Sequence, residues 1–142
     1  MTAGYSGTPL PRKLGIKPGH SVAMSGAPAH FVELLGPLDP SIRLRGDLRS
    51  RGPHDVLVVF VRSPSELRRR FQRARARLRP TGGLWVAWPK QSSPLAGALR
   101  DGDVRSFGLS TGLVDNKVCA IDEDWSGLRF VVRKSDRPRP GR

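Results

Sequence analysis

The sequence predicts a three-layer α/β domain whose sheet is mostly parallel and closes on an antiparallel hairpin. Three observations carry that expectation. The stretch "DVLVVFV" (55–61) is a run of six apolar residues behind an aspartate, the pattern of a parallel strand covered on both faces. From Pro18 onward strand-like and helix-like stretches alternate, as crossover connections between parallel strands require. Near the end, "NKVCAI" and "LRFVVR" are short apolar runs joined by the acidic "DEDWSG", which reads as a β-hairpin.

Taken in order, Met1 to Pro11 is rich in Gly, Ser, Thr and Pro without apolar periodicity and reads as an arm laid over the domain. "RKLGIKPG" allows at most one helical turn before a Pro-Gly turn. "SVAMSG" is the first strand, buried on both faces. A helix from Pro28 to Leu35 follows, with proline tolerated in the first turn and Gly36 placed to end it. "SIRLRG" is a second strand, polar enough for an edge. The central strand ends at Arg62, and "SPSELRRRFQRARARLRP" then opens with Ser63 as cap, Pro64 at the first helical position and Glu66 reaching back. Leu67, Phe71, Ala74 and Leu78 share one helical stripe, and arginines fill the rest of the circumference. "GGLWVAW" is a strand closed by Pro89, and a loop then leads to a helix from Asp101 to Leu109. The closing "KSDRPRPGR" has no apolar residue besides its prolines and glycine, and is expected to be disordered. The expected organisation is one domain over 1–133, with the arm at 1–11, and a basic tail at 134–142.

At 142 residues the chain suits one domain with a real core. No leader pattern stands near Met1 and the longest apolar run, "VLVVFV", is far short of a membrane span, so a soluble cytoplasmic protein is the default expectation. One cysteine, Cys119, and three scattered histidines argue against a disulfide framework or a structural metal site. The net charge of +13 is concentrated: Ser63–Pro80 holds seven arginines against Glu66, and Arg133–Arg142 holds five basic residues against Asp136. Such a surface attracts polyanions, anionic membrane or acidic partners without specifying which. Abundant Arg, Gly and Pro also follow from a GC-rich coding sequence.

The order of elements between Pro18 and Arg133 is similar to a pared-down class I methyltransferase domain, a Rossmann-like fold whose sheet also finishes in an antiparallel hairpin. At motif level, "GYSGTPLPRKLGIKPG", "LWVAWPK" and "GLVDNKVCAIDEDWSGLRFVVR" resemble the bacterial family catalogued as domain of unknown function 3052, widespread in actinobacteria. That resemblance implies a small cytoplasmic Rossmann-like protein and brings no activity or catalytic residue with it. The Arg-rich helix and the basic tail depart from the family's pattern.

Open α/β sheets bind ligands beyond the carboxyl ends of their strands, where the strand order reverses. Here that rim comprises Ser25 and Gly26, Arg62 and Ser63, and Trp88 to Lys90. A coenzyme turn uses several glycines; this one offers Gly26 alone, followed by Pro28, which removes an amide donor. Asp47 is the carboxylate near the offset expected for a ribose partner. Trp88 can stack on a planar ligand while Lys90 meets an anion, although a core tryptophan beside a loop lysine explains both; Trp85 points to the other face and into the core. Asp115, Lys117, Asp122, Glu123 and Asp124 fit no calcium loop and read as turn residues. Cys119 reads as an inert buried thiol, and His20, His30 and His54 form no recognisable dyad with a serine. On the arginine helix, Arg69, Arg73 and Arg77 recur every fourth residue with Arg70 beside them, either as a phosphate-contacting face or as a solvated one; Phe71 belongs to the packed stripe and cannot stack on bases.

The leading expectation is a noncatalytic Rossmann-like protein that binds a small anionic ligand, a polyanion or a protein. The alternative is a divergent transferase holding S-adenosylmethionine or a nucleotide through Gly26 and Asp47. A third reading is nonspecific nucleic-acid association through the arginine helix and tail.

Overall fold

Strands β1 (Ser21–Ser25), β2 (Arg43–Arg45), β3 (His54–Phe60), β4 (Leu78–Pro89), β5 (Val114–Ala120) and β6 (Trp125–Val131) form one sheet in the order β2-β1-β3-β4-β6-β5. The structure, a computed structural model, describes residues 7–138; the arm residues 1–6 and tail residues 139–142 lie outside the described residues. β2, β1, β3 and β4 are mutually parallel, and β6 runs antiparallel to both β4 and β5. The expected α/β class is thus observed, with the polar second strand at one edge and the hairpin at the other.

Helices cover both faces. Leu67, Phe71 and Ala74 of α3 (Pro64–Arg75) and Val104 of α4 (Asp101–Ser110) meet Leu57, Val59, Leu84 and Val86 on one face. Here Phe71 sits between the rings of Phe107 and Phe130, edge to face at 5.3 and 5.4 Å. Leu10 and Leu14 of α1 (Leu10–Leu14) and Phe31 and Leu35 of α2 (Phe31–Leu35) cover the other face against Val58, Phe60, Trp85 and Trp125. The two-residue period of β4 sends Trp85 to the α1 side, where its indole N–H donates to the Leu14 carbonyl at 3.0 Å, and Trp88 to the α3 side.

The start signal of α3 is realised: the Ser63 hydroxyl accepts the Glu66 N–H at 3.2 Å, and Glu66 reaches back to the Arg62 N–H at 2.8 Å. Three boundaries differ from expectation. α2 begins at Phe31 rather than Pro28, because Pro28 closes a turn whose carbonyl accepts the Phe31 N–H at 3.0 Å. α3 stops at Arg75, and Leu78, expected on its stripe, instead opens β4 opposite His54. Trp125, Ser126 and Gly127 belong to β6, since Asp122 accepts the N–H groups of Asp124 and Trp125 and tightens the connector to four residues, 121–124. Beyond β6, Lys134–Asp136 form a 3-10 turn and Arg137 donates to the Val132 carbonyl at 3.0 Å.

Candidate functional site

The chain leaves β1 toward β2 on one side and returns to β3 on the other, so the strand order reverses between β1 and β3. A crevice at their carboxyl ends is the place where such sheets bind ligands. Gly26 follows β1 there with φ +69°, a left-handed conformation that suits glycine. A side chain at this position would collide with the guanidinium of Arg70 and come within 3.0 Å of the Phe60 carbonyl. Arg70 therefore leaves the exposed row of its helix and turns into the crevice. It donates to the Phe60 carbonyl, and its second nitrogen lies 3.4 Å from Glu66. The sequence puts Arg70 beside its neighbours on a face that is either phosphate-contacting or solvated; what redirects it is the side-chain-free space over Gly26.

Asp47 lies two residues past β2, at the strand end next to that of β1. It is exposed, accepts the Arg49 N–H at 3.0 Å and lies 3.7 Å from the Arg49 side chain. Gly26 and Asp47 thus share one rim. Because α2 starts at Phe31, Pro28 removes no donor from a helical turn, which corrects one of the two reasons for expecting a depleted coenzyme turn; the other, that Gly26 is the turn's single glycine, stands. With Ala27, Pro28 belongs to the loop between strand and helix.

Further along the rim, a cavity of about 410 Å³ lies between α1, α2 and the β5–β6 connector, floored by Leu10, Leu34, Leu35 and Ile121. His30 and Asp122 stand on its wall, with Nε2 and Oδ2 2.9 Å apart. Ninety-two residues separate them, so no local pattern announces the pair. Trp88 is only 6% exposed and its ring packs in the core, yet with Lys90 it lines a cavity of about 390 Å³ beside Arg100, Asp101 and Arg105. The Lys90 backbone N–H donates to the Asp124 carbonyl at 2.8 Å, tying the end of β4 to the hairpin connector.

The remaining candidates disperse. Arg69 and Arg73 are exposed on α3, but Arg77 lies past the helix end and does not extend their row; it donates to the carbonyls of Ser50 and Arg73 at 3.1 and 2.8 Å. Asp115 pairs with Arg105, Asp124 accepts the Ser93 hydroxyl at 2.8 Å, and Asp122 serves its own turn and His30. Among the described residues no three His, Cys, Asp or Glu side chains are grouped to hold a metal ion. Burial pushes the Cys119 thiol above its ordinary range, against the opposing pull of Lys13 and Lys117.

One histidine meets a serine at a sequence distance that no local pattern reveals. His54 Nδ1 lies 2.7 Å from the Ser21 hydroxyl, while Asp55 accepts the Ser21 N–H at 2.8 Å. The pair sits at the amino ends of β1 and β3, and His54 is 1% exposed. Its role is to join the two strands, and burial lowers its pKa. Among the described residues no helix is long and apolar enough to cross a membrane.

No protein-family model matches the sequence, and no curated protein matches it. Solved structures do match in fold. A TehB-like S-adenosylmethionine-dependent methyltransferase from Corynebacterium glutamicum superposes with a TM-score of 0.57 at 13% identity, over 92% of this chain and 91% of that one. A methyltransferase dependent on the same cofactor, from Aquifex aeolicus, gives 0.58 at 12% identity, over 86% and 87%. Magnesium protoporphyrin IX methyltransferase from Synechocystis, with S-adenosylmethionine bound, gives 0.59 at 13% identity, over 82% and 71%. At these identities the likeness is one of fold: a six-stranded Rossmann-like sheet of the class I methyltransferase kind. The expectation of a noncatalytic binder is corrected by these likenesses, which favour the alternative of a divergent S-adenosylmethionine-dependent transferase.

Proposed function

We propose that the chain is a divergent S-adenosylmethionine-dependent transferase whose cofactor lies at the crevice between β1 and β3. The observation that carries this reading is Gly26, left-handed and without a side chain at the reversal of strand order, with Asp47 at the neighbouring strand end. The residues present fit the cofactor. The Arg70 guanidinium occupies the space over Gly26, so a ligand reaches that main chain once Arg70 turns aside; Asp47 then offers a carboxylate to ribose hydroxyls, and Arg70 is a cation for the carboxylate of an amino-acid moiety. When bound, the cofactor supplies an electrophilic methyl group on a sulfonium. The cavity beside the crevice is the place for an acceptor, and His30, held by Asp122, is one of the ionisable groups on its wall, with Lys13, Glu123 and Asp124. Calorimetric titration with S-adenosylmethionine and S-adenosylhomocysteine tests the reading. Micromolar binding that is lost in Gly26→Val supports it, and its absence from the wild-type protein refutes it.

A second reading rests on the exposed arginines Arg68, Arg69 and Arg73 on α3, which suit nonspecific contact with nucleic-acid phosphates. Binding to a single-stranded oligonucleotide should then fall steeply with salt and vanish in Arg69→Ala/Arg73→Ala; salt-insensitive binding would dismiss it. Membership of family 3052, a domain spanning 1–133 and a cytoplasmic location remain parts of the proposal, resting on the strings and composition described above.

A further inference from the structure

A second cavity of about 410 Å³ opens at the other end of the sheet, by the amino ends of β3 and β4. Its wall includes Arg12 of α1, Lys17 in the following loop, Asp55 of β3, Thr81 of β4, Lys117 of β5 and Arg129 of β6. The charges on that wall do not balance. Asp55 is its only carboxylate among the described residues, and it is engaged elsewhere: one oxygen accepts the Ser21 N–H at 2.8 Å and the other lies 2.9 Å from Arg79. Arg12, Lys17, Lys117 and Arg129 form no ion pair with a carboxylate among the described residues.

Arg129 is the most telling of these cations. It is half-buried, and Nη1 makes a long contact of 3.4 Å to Asn116. The sheet is shaped to receive it: a side chain at Gly83 would collide with its guanidinium, so Arg129 lies against bare backbone of β4. Directly opposite in the hairpin register stands Lys117, a second cation. Like charges facing one another across a strand pair are destabilising, and a half-buried charge without a partner costs still more. Burial and the nearby Arg137 both push Arg129 below the ordinary arginine range. An anion held in the cavity would relieve all three costs at once.

We propose that this cavity binds a phosphorylated small molecule, with the Arg129 fork and the ammonium groups of Lys17 and Lys117 meeting its phosphate oxygens. The cations come from separate segments and converge on one concavity, which suits a compact polyvalent anion better than an extended backbone. The volume also falls within the roughly 300–1,000 Å³ of ordinary small-molecule sites. The site is independent of the transferase reading, because it lies at the opposite rim and uses none of its residues.

Inorganic pyrophosphate, titrated calorimetrically at low salt, is the probe. The wild-type protein should bind it at one site, and Lys17→Glu/Lys117→Glu should weaken that binding by at least about tenfold. Arg45→Glu/Arg75→Glu, which changes net charge equally but lies on β2 and α3 outside the cavity wall, should weaken it less than about twofold. Arg129→Lys keeps the charge, loses the fork, and should weaken binding as well. All the reversed positions are exposed, so unchanged melting curves verify folding. Absence of binding in the wild type, or equal losses in the two double variants, would overturn the proposal.

Discussion

Replacing Gly26 by alanine introduces two costs that the structure allows to be separated. The first is conformational: with φ at +69° a residue bearing a Cβ pays about 1–2 kcal/mol for the left-handed region. The second is steric. The new Cβ collides with the Arg70 guanidinium and displaces it from the Phe60 carbonyl, a charge-assisted bond worth about 1.5–3 kcal/mol, toward the lower end here because Arg70 is partly exposed. Gly26→Ala should therefore cost about 2–4 kcal/mol in the wild-type background. In Arg70→Ala the guanidinium is already gone, so the same substitution should cost only about 1–2 kcal/mol. Urea denaturation of the wild type, both single variants and the double variant closes the cycle. A coupling of about 1–2 kcal/mol is expected, and additivity within about 0.5 kcal/mol would refute the placement of Arg70 in the crevice.

Trp85→Phe strips the Leu14 carbonyl of its indole donor and leaves a small cavity at a fully buried position, and should cost about 2–4 kcal/mol in urea denaturation; a neutral result would mean that the indole does not secure α1. Gly108→Ala drives a methyl group into the Phe130 ring and should cost about 1–3 kcal/mol, with part of the loss recovered in Gly108→Ala/Phe130→Leu. His54 has a pKa lowered first of all by burial, so below the ordinary value of 6.5 the unfolded chain binds the proton more readily than the folded one. Its contribution is held above that pH and lost as the pH falls. Urea midpoints on either side of pH 6.5 should show the decline in the wild type and a shallower one in His54→Gln, and equal slopes would contradict the assignment. Cys119, with its pKa raised, should react with a disulfide reagent at neutral pH more slowly than a free thiol; a faster reaction would show the thiol to be activated.

The elements legible in the sequence are those whose signals are local. "DVLVVFV" can satisfy its apolar residues only between two helical layers, and Ser63, Pro64 and Glu66 specify a helix start through hydrogen bonds within four residues. Where prediction erred, a tertiary partner outweighed the local pattern. Leu78 has the period of the α3 stripe, yet pairing with His54 draws it into β4, and no glycine or proline marks the helix end. Arg77 leaves the helical row for the same reason. At the candidate rim, the position of Gly26 after β1 is legible from the end of its strand, but nothing in the heptapeptide around Arg70 says that it points at a glycine forty-four residues earlier. The meetings of His30 with Asp122, Ser21 with His54, and Lys117 with Arg129 are products of topology. Such pairs become readable only when the strand order is known.

Whether the crevice by Gly26 accepts an adenosyl cofactor decides the proposed function. Calorimetric titration of S-adenosylhomocysteine into the wild-type protein and into Gly26→Val addresses it most directly. Saturable micromolar binding to the first and none to a still-folded second is the predicted result; no heat with the wild type, or equal affinity in both, would contradict it.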